Sequence, residues 1–155
     1  MYNVLGEFEV TLDLKGRFML PSGLKKQIPE AELKFVLSRG SDKCLNLYTA
    51  KQWERIESIV SRLNEFNEKA RKFKRLFLNG ATIMEPDAAG RLLLPKHMLL
   101  YAGITRDIIF SAQMNKMELW DAATWRAETN VDALTLNQLG DEVLGHDFMN
   151  PMDFK

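Results

Sequence analysis

The chain has 155 residues, of which 46% are hydrophobic and 27% are charged, the ordinary composition of a globular protein. Its one cysteine, Cys44, excludes an internal disulfide framework, and no apolar run approaches the roughly 20 residues that cross a bilayer. Residues 1–5 lack the basic and apolar stretches of a secretory signal, so we expect a cytoplasmic protein.

Charge is unevenly distributed along the chain, although the net charge is zero. Residues 1–80 contain 15 basic and 10 acidic side chains, a balance of +5, whereas residues 81–155 contain 6 and 11, a balance of −5. Such a split is compatible with a face that binds a polyanion, with head-to-tail self-association, and with a chance asymmetry of solvated surfaces.

The first predicted elements are two strands around a tight hairpin loop. Residues 7–12 alternate polar and apolar side chains, which is the period of a half-buried strand. Asp13 and Gly16 supply the turn chemistry, because a carboxylate accepts backbone N–H groups and glycine tolerates a positive φ. The apolar residues 18–20 form the second strand, and a helix that begins at Pro21 stops before Pro29.

A second hairpin and a long amphipathic stretch follow. Residues 33–38 and 44–48 form the hairpin, and the helix after it carries Trp53. Over residues 51–76 the apolar side chains recur at three- and four-residue spacing, which predicts one helix face. These side chains are Trp53, Ile56, Ile59, Val60, Leu63 and Phe66.

The second half of the chain repeats the first. The segment 87–95 (DAAGRLLLP) repeats the segment 13–21 (DLKGRFMLP) at an offset of 74 residues, and Trp125 then falls opposite Trp53. Each half therefore has the order β-β-α-β-β-α. Because a half of this size closes little core alone, we expect the two halves to share one core.

The remaining elements of the second half follow the same order as those of the first. A helix that begins at Pro95 ends near Gly103, and residues 107–112 and 117–120 form the second hairpin of this half. A final helix covers residues 131–144. Residues 145–155 form a loose extension.

The two repeated loops carry the candidate binding chemistry. Asp13 and Arg17 flank the first loop, and Asp87 and Arg91 flank the second, so an ion pair can form across each loop. Arginine presents a planar fork that binds a phosphate or the edge of guanine through two hydrogen bonds. Lys15 at the first loop tip adds a point charge for phosphate. The alternative is that each aspartate only forms a turn and each arginine is a solvated strand residue.

The second loop departs from the first. It has Ala88 and Ala89 where the first loop has Leu14 and Lys15, so it lacks the lysine. Either Arg91 contacts DNA without that lysine, or Asp87, Gly90 and Arg91 serve there mainly to set the turn.

A basic segment lies between the two repeats. Residues 69–75 contain five cations, among them Arg71 and Lys72. We interpret these two as further DNA contacts. A contact with the acidic half of a neighbouring subunit and a solvated helix face remain alternatives.

Other chemistry-bearing residues point to structural roles. Trp53, Trp120 and Trp125 are expected to pack in the core or an interface, and Cys44 to be a small buried residue. His97 and His146 are far apart, with no partner at metal-ligand spacing, so we expect neither a metal site nor a cofactor. No nucleophile–base set or phosphate-binding loop is present, so we expect that the chain is not an enzyme.

The duplicated D-x-x-G-R block, with its apolar strand, its proline and its aligned tryptophan, resembles the MraZ family of the AbrB-like swapped-hairpin superfamily. The resemblance covers roughly residues 1–145. It implies an α+β fold in which the two copies of one chain form a swapped-hairpin β-barrel with peripheral helices. It also implies a homo-oligomeric ring, and a nucleoid-associated regulator that binds repeated promoter sites on double-stranded DNA upstream of cell-division and cell-wall genes.

On this basis we predict four regions. Residues 5–52 and 80–126 form the two AbrB-like half-barrels, 53–79 a connecting helical region, and 127–155 a C-terminal helix and tail. The alternative function is a non-DNA oligomeric scaffold or an antitoxin-like partner protein, since AbrB-like barrels also occur in antitoxins. Antitoxins usually join one barrel copy to a long disordered tail, so the duplicated barrel and short tail favour the regulator.

Overall fold

The computed structural model describes residues 3–145, whose contacts group into two compact units divided between Ala122 and Ala123. Residues 146–155 of the predicted extension, among them His146, lie outside the described residues. The four regions drawn from the sequence stay a prediction.

The first copy forms four strands and three α-helices in the predicted order. They are β1 (Val4–Thr11), β2 (Arg17–Met19), α1 (Ser22–Lys25), β3 (Phe35–Arg39), β4 (Leu45–Thr49), α2 (Ala50–Ser61) and α3 (Glu68–Leu78), with a 3₁₀ turn at Glu30–Glu32 between α1 and β3. Helix α1 starts directly after Pro21, as expected, but it ends at Lys25, earlier than the sequence predicts.

The second copy repeats this order. Its elements are β5 (Thr82–Met84), β6 (Arg91–Leu93), α4 (Lys96–Ala102), β7 (Asp107–Met114), β8 (Met117–Asp121) and α5 (Ala122–Thr129), and a final helix, α6 (Ala133–Leu144), follows. The predicted end of α4 is confirmed, because Gly103 caps it in the left-handed conformation with φ at 65°. The predicted hairpins β3–β4 and β7–β8 are also confirmed.

The strands next to the two loops pair between the copies. Six strands form one antiparallel sheet in the order β1-β7-β8-β4-β3-β5, and β2 and β6 form a separate two-stranded sheet. Strand β1 thus pairs with β7, and β2 pairs with β6. The expected simple hairpin between residues 7–12 and 18–20 is therefore wrong: each loop is a corner that joins a strand of the six-stranded sheet to a strand of the two-stranded ribbon.

The pairing register follows an approximate two-fold symmetry between the copies. Phe18 lies opposite Leu92, its own counterpart 74 residues later, at the centre of the β2–β6 ribbon. The β1–β7 pair is matched by the β5–β3 pair at the other edge of the large sheet. The predicted sharing of one core by both halves follows from this pairing, because each half supplies strands to both sheets.

The core lies between the six-stranded sheet and the ribbon. Phe18 and Leu92 of the ribbon are buried in one apolar cluster with Leu37 and Phe110 of the large sheet. The rings of Phe18 and Phe110 are 5.3 Å apart and tilted, a favourable aromatic geometry. This packing fixes the inner face of the ribbon and leaves its other face toward solvent.

Helices α2 and α3 cover the opposite face of the large sheet. Trp53 of α2 packs on Tyr48 of β4 and stacks on Phe77 of α3, with ring centroids 5.4 Å and 6.2 Å away. Tyr48 pairs with Val36 on β3, on the face that points away from the core. The expected packing role of Trp53 is confirmed.

The prediction of one helix face over residues 51–76 is wrong, because the chain breaks between α2 and α3. The side chain of Asn64 accepts the N–H of Phe66, and the side chain of Asn67 accepts the N–H of Ala70 and caps α3. Two asparagines thus provide a turn and a new helix start. Phe66, which the spacing placed on the buried face, is exposed.

The second compact unit contains α6, as the sequence predicts. Asp132 caps the helix by accepting the N–H of Thr135 at 2.8 Å. None of the residues of α6 is buried. Three of its apolar side chains, Leu136, Leu139 and Val143, recur at three- and four-residue spacing and form one exposed stripe with Leu144 beside it, while Leu134 is exposed on the other side of the helix.

Candidate nucleic-acid interface

The aspartate of the first loop organises the backbone around it. One carboxylate oxygen of Asp13 accepts the N–H groups of Lys15 and Arg17, both at 2.9 Å, and the other accepts Nε of Arg17 at 2.7 Å. The chain closes through two further backbone bonds between Asp13 and residues 16 and 17. The predicted ion pair is present and holds the arginine at one end of its guanidinium.

The second loop has the same geometry despite its different tip. Asp87 accepts the N–H groups of Ala89 and Arg91 and holds Nε of Arg91 at 2.9 Å. Gly16 and Gly90 both have a φ of 82°, where a side chain would be strained. The predicted loop-organising set, Asp13 and Gly16 with Asp87 and Gly90, thus makes the same turn twice.

Both carboxyl groups are held in the charged form by these bonds. The backbone N–H of Arg17 is the main cause that lowers the pKa of Asp13 to about 2, and the Arg17 side chain adds to it. The N–H of Arg91 likewise lowers the pKa of Asp87. Each loop therefore keeps its ion pair at neutral pH.

The ribbon places the two arginines on one outward face. Arg17 lies opposite Leu93, and Arg91 lies opposite Met19, while Phe18 and Leu92 point into the core. Arg17 and Arg91 are diagonal neighbours across an antiparallel pair, so their backbones are about 7–8 Å apart. Sequence spacing alone, with 74 residues between them, does not indicate this proximity.

In each arginine the ion pair with aspartate leaves the two terminal nitrogens of the guanidinium available to a ligand. Within the described chain, the hydrogen bonds of the Arg17 and Arg91 side chains use Nε only. The two terminal nitrogens of each guanidinium are the pair that contacts the guanine edge or a phosphate end-on. The carboxylates fix the arginines without occupying that pair.

A further cation lies beside the first loop. Arg106, in the turn before β7, lines a depression together with Asp13 and Leu14, and its carbonyl accepts the N–H of Leu12. Lys15 is exposed at the tip of the same loop. No sequence pattern indicates Arg106 as a site residue, because its position beside the loop depends on the pairing of β1 with β7 across the copies.

Cations on the other half of the molecule are differently placed. Lys34 precedes β3 and pairs with Glu85, which precedes the second loop, at 3.5 Å. The second loop, with two alanines at its tip, has no lysine of its own. The two loops are therefore alike in backbone and different in charge.

Arg71 and Lys72 do not lie on the ribbon. They belong to α3, which packs on the face of the large sheet that points away from the core and from β2–β6. Arg71 also donates a hydrogen bond to the carbonyl of Glu65 at 2.8 Å. Their contact with DNA stays a prediction.

Other reactive groups are sequestered. Cys44 is fully buried, as expected, and burial raises the pKa of its thiol to about 12. Within residues 3–145 there is no group of three acidic, histidine or cysteine side chains that could hold a metal ion. No helix in the same range is long and apolar enough to cross a membrane.

Comparison with known proteins identifies the family. Residues 4–76 and 77–135 each match the family model described as "MraZ protein, putative antitoxin-like". The transcriptional regulator MraZ of Flavobacterium psychrophilum is 36% identical over 148 residues, 94% of each chain. The transcriptional regulator MraZ of Christiangramia forsetii is 36% identical over 149 residues, 95% of this chain and 96% of its own. The predicted α+β, duplicated AbrB-like fold is confirmed, and the chain belongs to the MraZ family.

Proposed function

We propose that this chain is a sequence-specific DNA-binding transcriptional regulator that acts through the β2–β6 ribbon and its two loops. The observation that carries the proposal is the placement of Arg17 and Arg91 on one outward face, each anchored through Nε by an aspartate of its own loop. Two relatives of nearly full length bear the name of transcriptional regulators, which agrees with this function.

The chemistry of the ribbon suits the major groove of DNA. That groove is about 12 Å wide and admits a two-stranded β-ribbon, and an arginine there binds O6 and N7 of guanine through two hydrogen bonds. Anchoring by Asp13 and Asp87 limits the rotamer entropy that the arginines lose on binding. Arg17 and Arg91 therefore read bases, whereas Lys15 and Arg106 contact phosphates.

The proposed biological setting rests on the resemblance to the MraZ family. We propose that the chain has no catalytic role, that it acts in the cytoplasm in association with the nucleoid, and that its sites are repeated sequences in promoters of cell-division and cell-wall genes. A homo-oligomeric ring would present several ribbons to those repeats. Support for assembly comes from the exposed apolar stripe of α6 and from the opposite charge balance of the two halves of the chain.

The test is a binding titration against DNA from upstream of the protein's own gene. We expect Arg17→Ala combined with Arg91→Ala to abolish preference for this fragment over DNA of unrelated sequence. Arg62→Ala is the matched control, since Arg62 is an exposed arginine at the end of α2, on the far side of the large sheet, whose side chain donates to the Ser58 carbonyl. Equal affinity of wild type for both DNAs would contradict the proposal.

The alternative is a partner protein without a DNA target, such as an antitoxin-like scaffold. It is favoured by the exposed leucines of α6, which suit a protein interface as well as self-assembly. This function predicts no DNA binding in the titration above, and a complex that survives the double arginine substitution.

A further inference from the structure

The outward face of the ribbon carries two apolar side chains between its arginines. Met19 is 53% exposed and Leu93 is 56% exposed. Each of them lies directly opposite an arginine of the other strand, Leu93 opposite Arg17 and Met19 opposite Arg91. The face is therefore a block of four side chains in which cations occupy one diagonal and apolar groups occupy the other.

Met19 and Leu93 lie on the solvated face of the ribbon, away from the core. In a sheet with one solvated face, residues on that face are normally polar, while the core face carries the apolar side chains. The ribbon already buries Phe18 and Leu92 on its core face. Exposed apolar groups that flank polar binding residues are typical of a contact surface.

Both side chains lie close to the glycines of the two loops. A Cβ added at Gly90 would lie 3.4 Å from the terminal methyl group of Met19, and one added at Gly16 would lie 4.0 Å from a methyl group of Leu93. Each apolar side chain thus rests against the loop of the other copy.

We propose that Met19 and Leu93 recognise thymine, through contact with its 5-methyl group in the major groove, beside the base pairs that Arg17 and Arg91 contact. This inference rests on the proposed function. In the major groove only thymine presents a methyl group, and apolar side chains are its usual partners. The alternation of cation and apolar group predicts sites in which a thymine adjoins each contacted guanine.

The size of the effect follows from the area involved. Burial of one methyl group changes an affinity by roughly fourfold. Because the symmetry of the ribbon supplies two such contacts, removal of all thymine methyl groups from a bound site should weaken binding by roughly tenfold or more.

The experiment uses the full chain and two versions of the fragment from upstream of its own gene, one with thymine and one with deoxyuridine in every thymine position. We expect wild type to bind the thymine version more tightly. Met19→Ala and Leu93→Ala should weaken binding to that version and reduce the ratio between the two. Met114→Ala, at the similarly exposed methionine that ends β7, should leave the ratio unchanged.

The outcomes separate this inference from the proposed function. If wild type binds both fragments equally while Arg17→Ala weakens both, thymine reading is wrong and DNA binding stands. If Met19→Ala and Leu93→Ala weaken both fragments by the same factor, the two side chains only support the loops, which overturns the inference. If wild type binds neither fragment, the proposed function fails, and the inference fails with it.

Discussion

Asp13 joins three groups of the first loop, the N–H of Lys15 and the N–H and Nε of Arg17. An exposed ion pair of this kind contributes little to the stability of a protein, because water screens it. Its value lies in geometry, because the same carboxylate fixes the turn and aims the arginine. The identical pattern at Asp87 indicates that the turn does not depend on the residues at its tip.

The pKa of Asp13 gives the first prediction. A carboxyl group whose folded pKa, about 2, lies below its ordinary value of 3.8 stabilises the fold above pH 4 and loses that contribution as the pH falls toward 2. We expect the unfolding free energy of Asp13→Asn to be smaller than that of wild type at pH 6. The difference should shrink as the pH falls from 4 to 2. Chemical denaturation over this range measures it. A carboxyl titration midpoint at 3.8 or above would contradict it.

The second prediction concerns the relative importance of the two arginines. Lys15 and Arg106 place extra cations beside the first loop, whereas the second loop has two alanines and its nearby Lys34 is paired with Glu85. On the proposed function, phosphate contacts should therefore seat the first loop more firmly on DNA than the second. We expect Arg17→Ala to weaken operator binding by about 1–3 kcal/mol per engaged loop. Arg91→Ala should cost clearly less.

Parallel titrations of both variants on one operator fragment decide this, after their melting temperatures and particle sizes have been matched to wild type. Equal losses would mean that the loops contact DNA equivalently and that the charge difference is incidental. A larger loss for Arg91→Ala would reverse the assignment of the main reading loop.

At the scale of elements, α3 provides the third prediction. The helix lies behind the large sheet, a layer about 10 Å thick, and charges beyond about 8 Å are largely screened at physiological salt. This placement argues against the DNA contact that the sequence predicts for Lys72, so we expect Lys72→Ala to change the affinity for a single DNA site by less than about twofold. Titrations of Lys72→Ala and Arg17→Ala with the same DNA fragment measure this effect. A loss of affinity comparable to that of Arg17→Ala would show that DNA also reaches α3.

Local patterns in the sequence predicted most elements correctly, because alternation, turn residues and helix caps act over a few neighbouring positions. They predicted both D-x-x-G-R loops, the β3–β4 and β7–β8 hairpins, and α6. They missed the break at Asn64 and Asn67, where two side-chain hydrogen bonds outweigh a continuous apolar spacing. A helical spacing of apolar residues does not ensure one continuous helix when residues that can cap a new helix lie inside the same stretch.

The candidate site depended on strand pairing, which no local pattern contains. The sequence identified Arg17 and Arg91 as equivalent residues, but their place on one face follows from the pairing of β2 with β6. The proximity of Arg106 to the first loop follows in the same way from the β1–β7 pair. The duplication indicated that the two halves are equivalent. The β2–β6 register shows in addition that the equivalent arginines are neighbours.

At the scale of the whole molecule, the stripe on α6 motivates a prediction about assembly. Leu139 and Val143 are exposed on a helix that buries none of its residues. Solvent contact of such a stripe is unfavourable by about 25 cal/mol per Å² of apolar area, so a second copy of the chain should cover it. We expect light scattering with size exclusion to give an oligomer larger than a dimer for wild type. Leu139→Asp combined with Val143→Asp should give a smaller particle, and Gln138→Asp, on the polar side of α6, should not.

Assembly should in turn decide how the protein senses repeated DNA sites. Several ribbons held in one particle bind adjacent sites as linked events, so affinity should rise steeply from a fragment with one site to a fragment with several. Each added site also brings phosphate contacts, so the affinity for the longer fragment should fall more steeply with salt. The Leu139→Asp, Val143→Asp variant keeps the ribbon intact and should match wild type on one site, yet gain little from further sites. Titrations of both proteins on both fragments at two salt concentrations test this linkage. An equal gain for the two proteins would mean that each chain binds its site independently and that the stripe on α6 serves another partner.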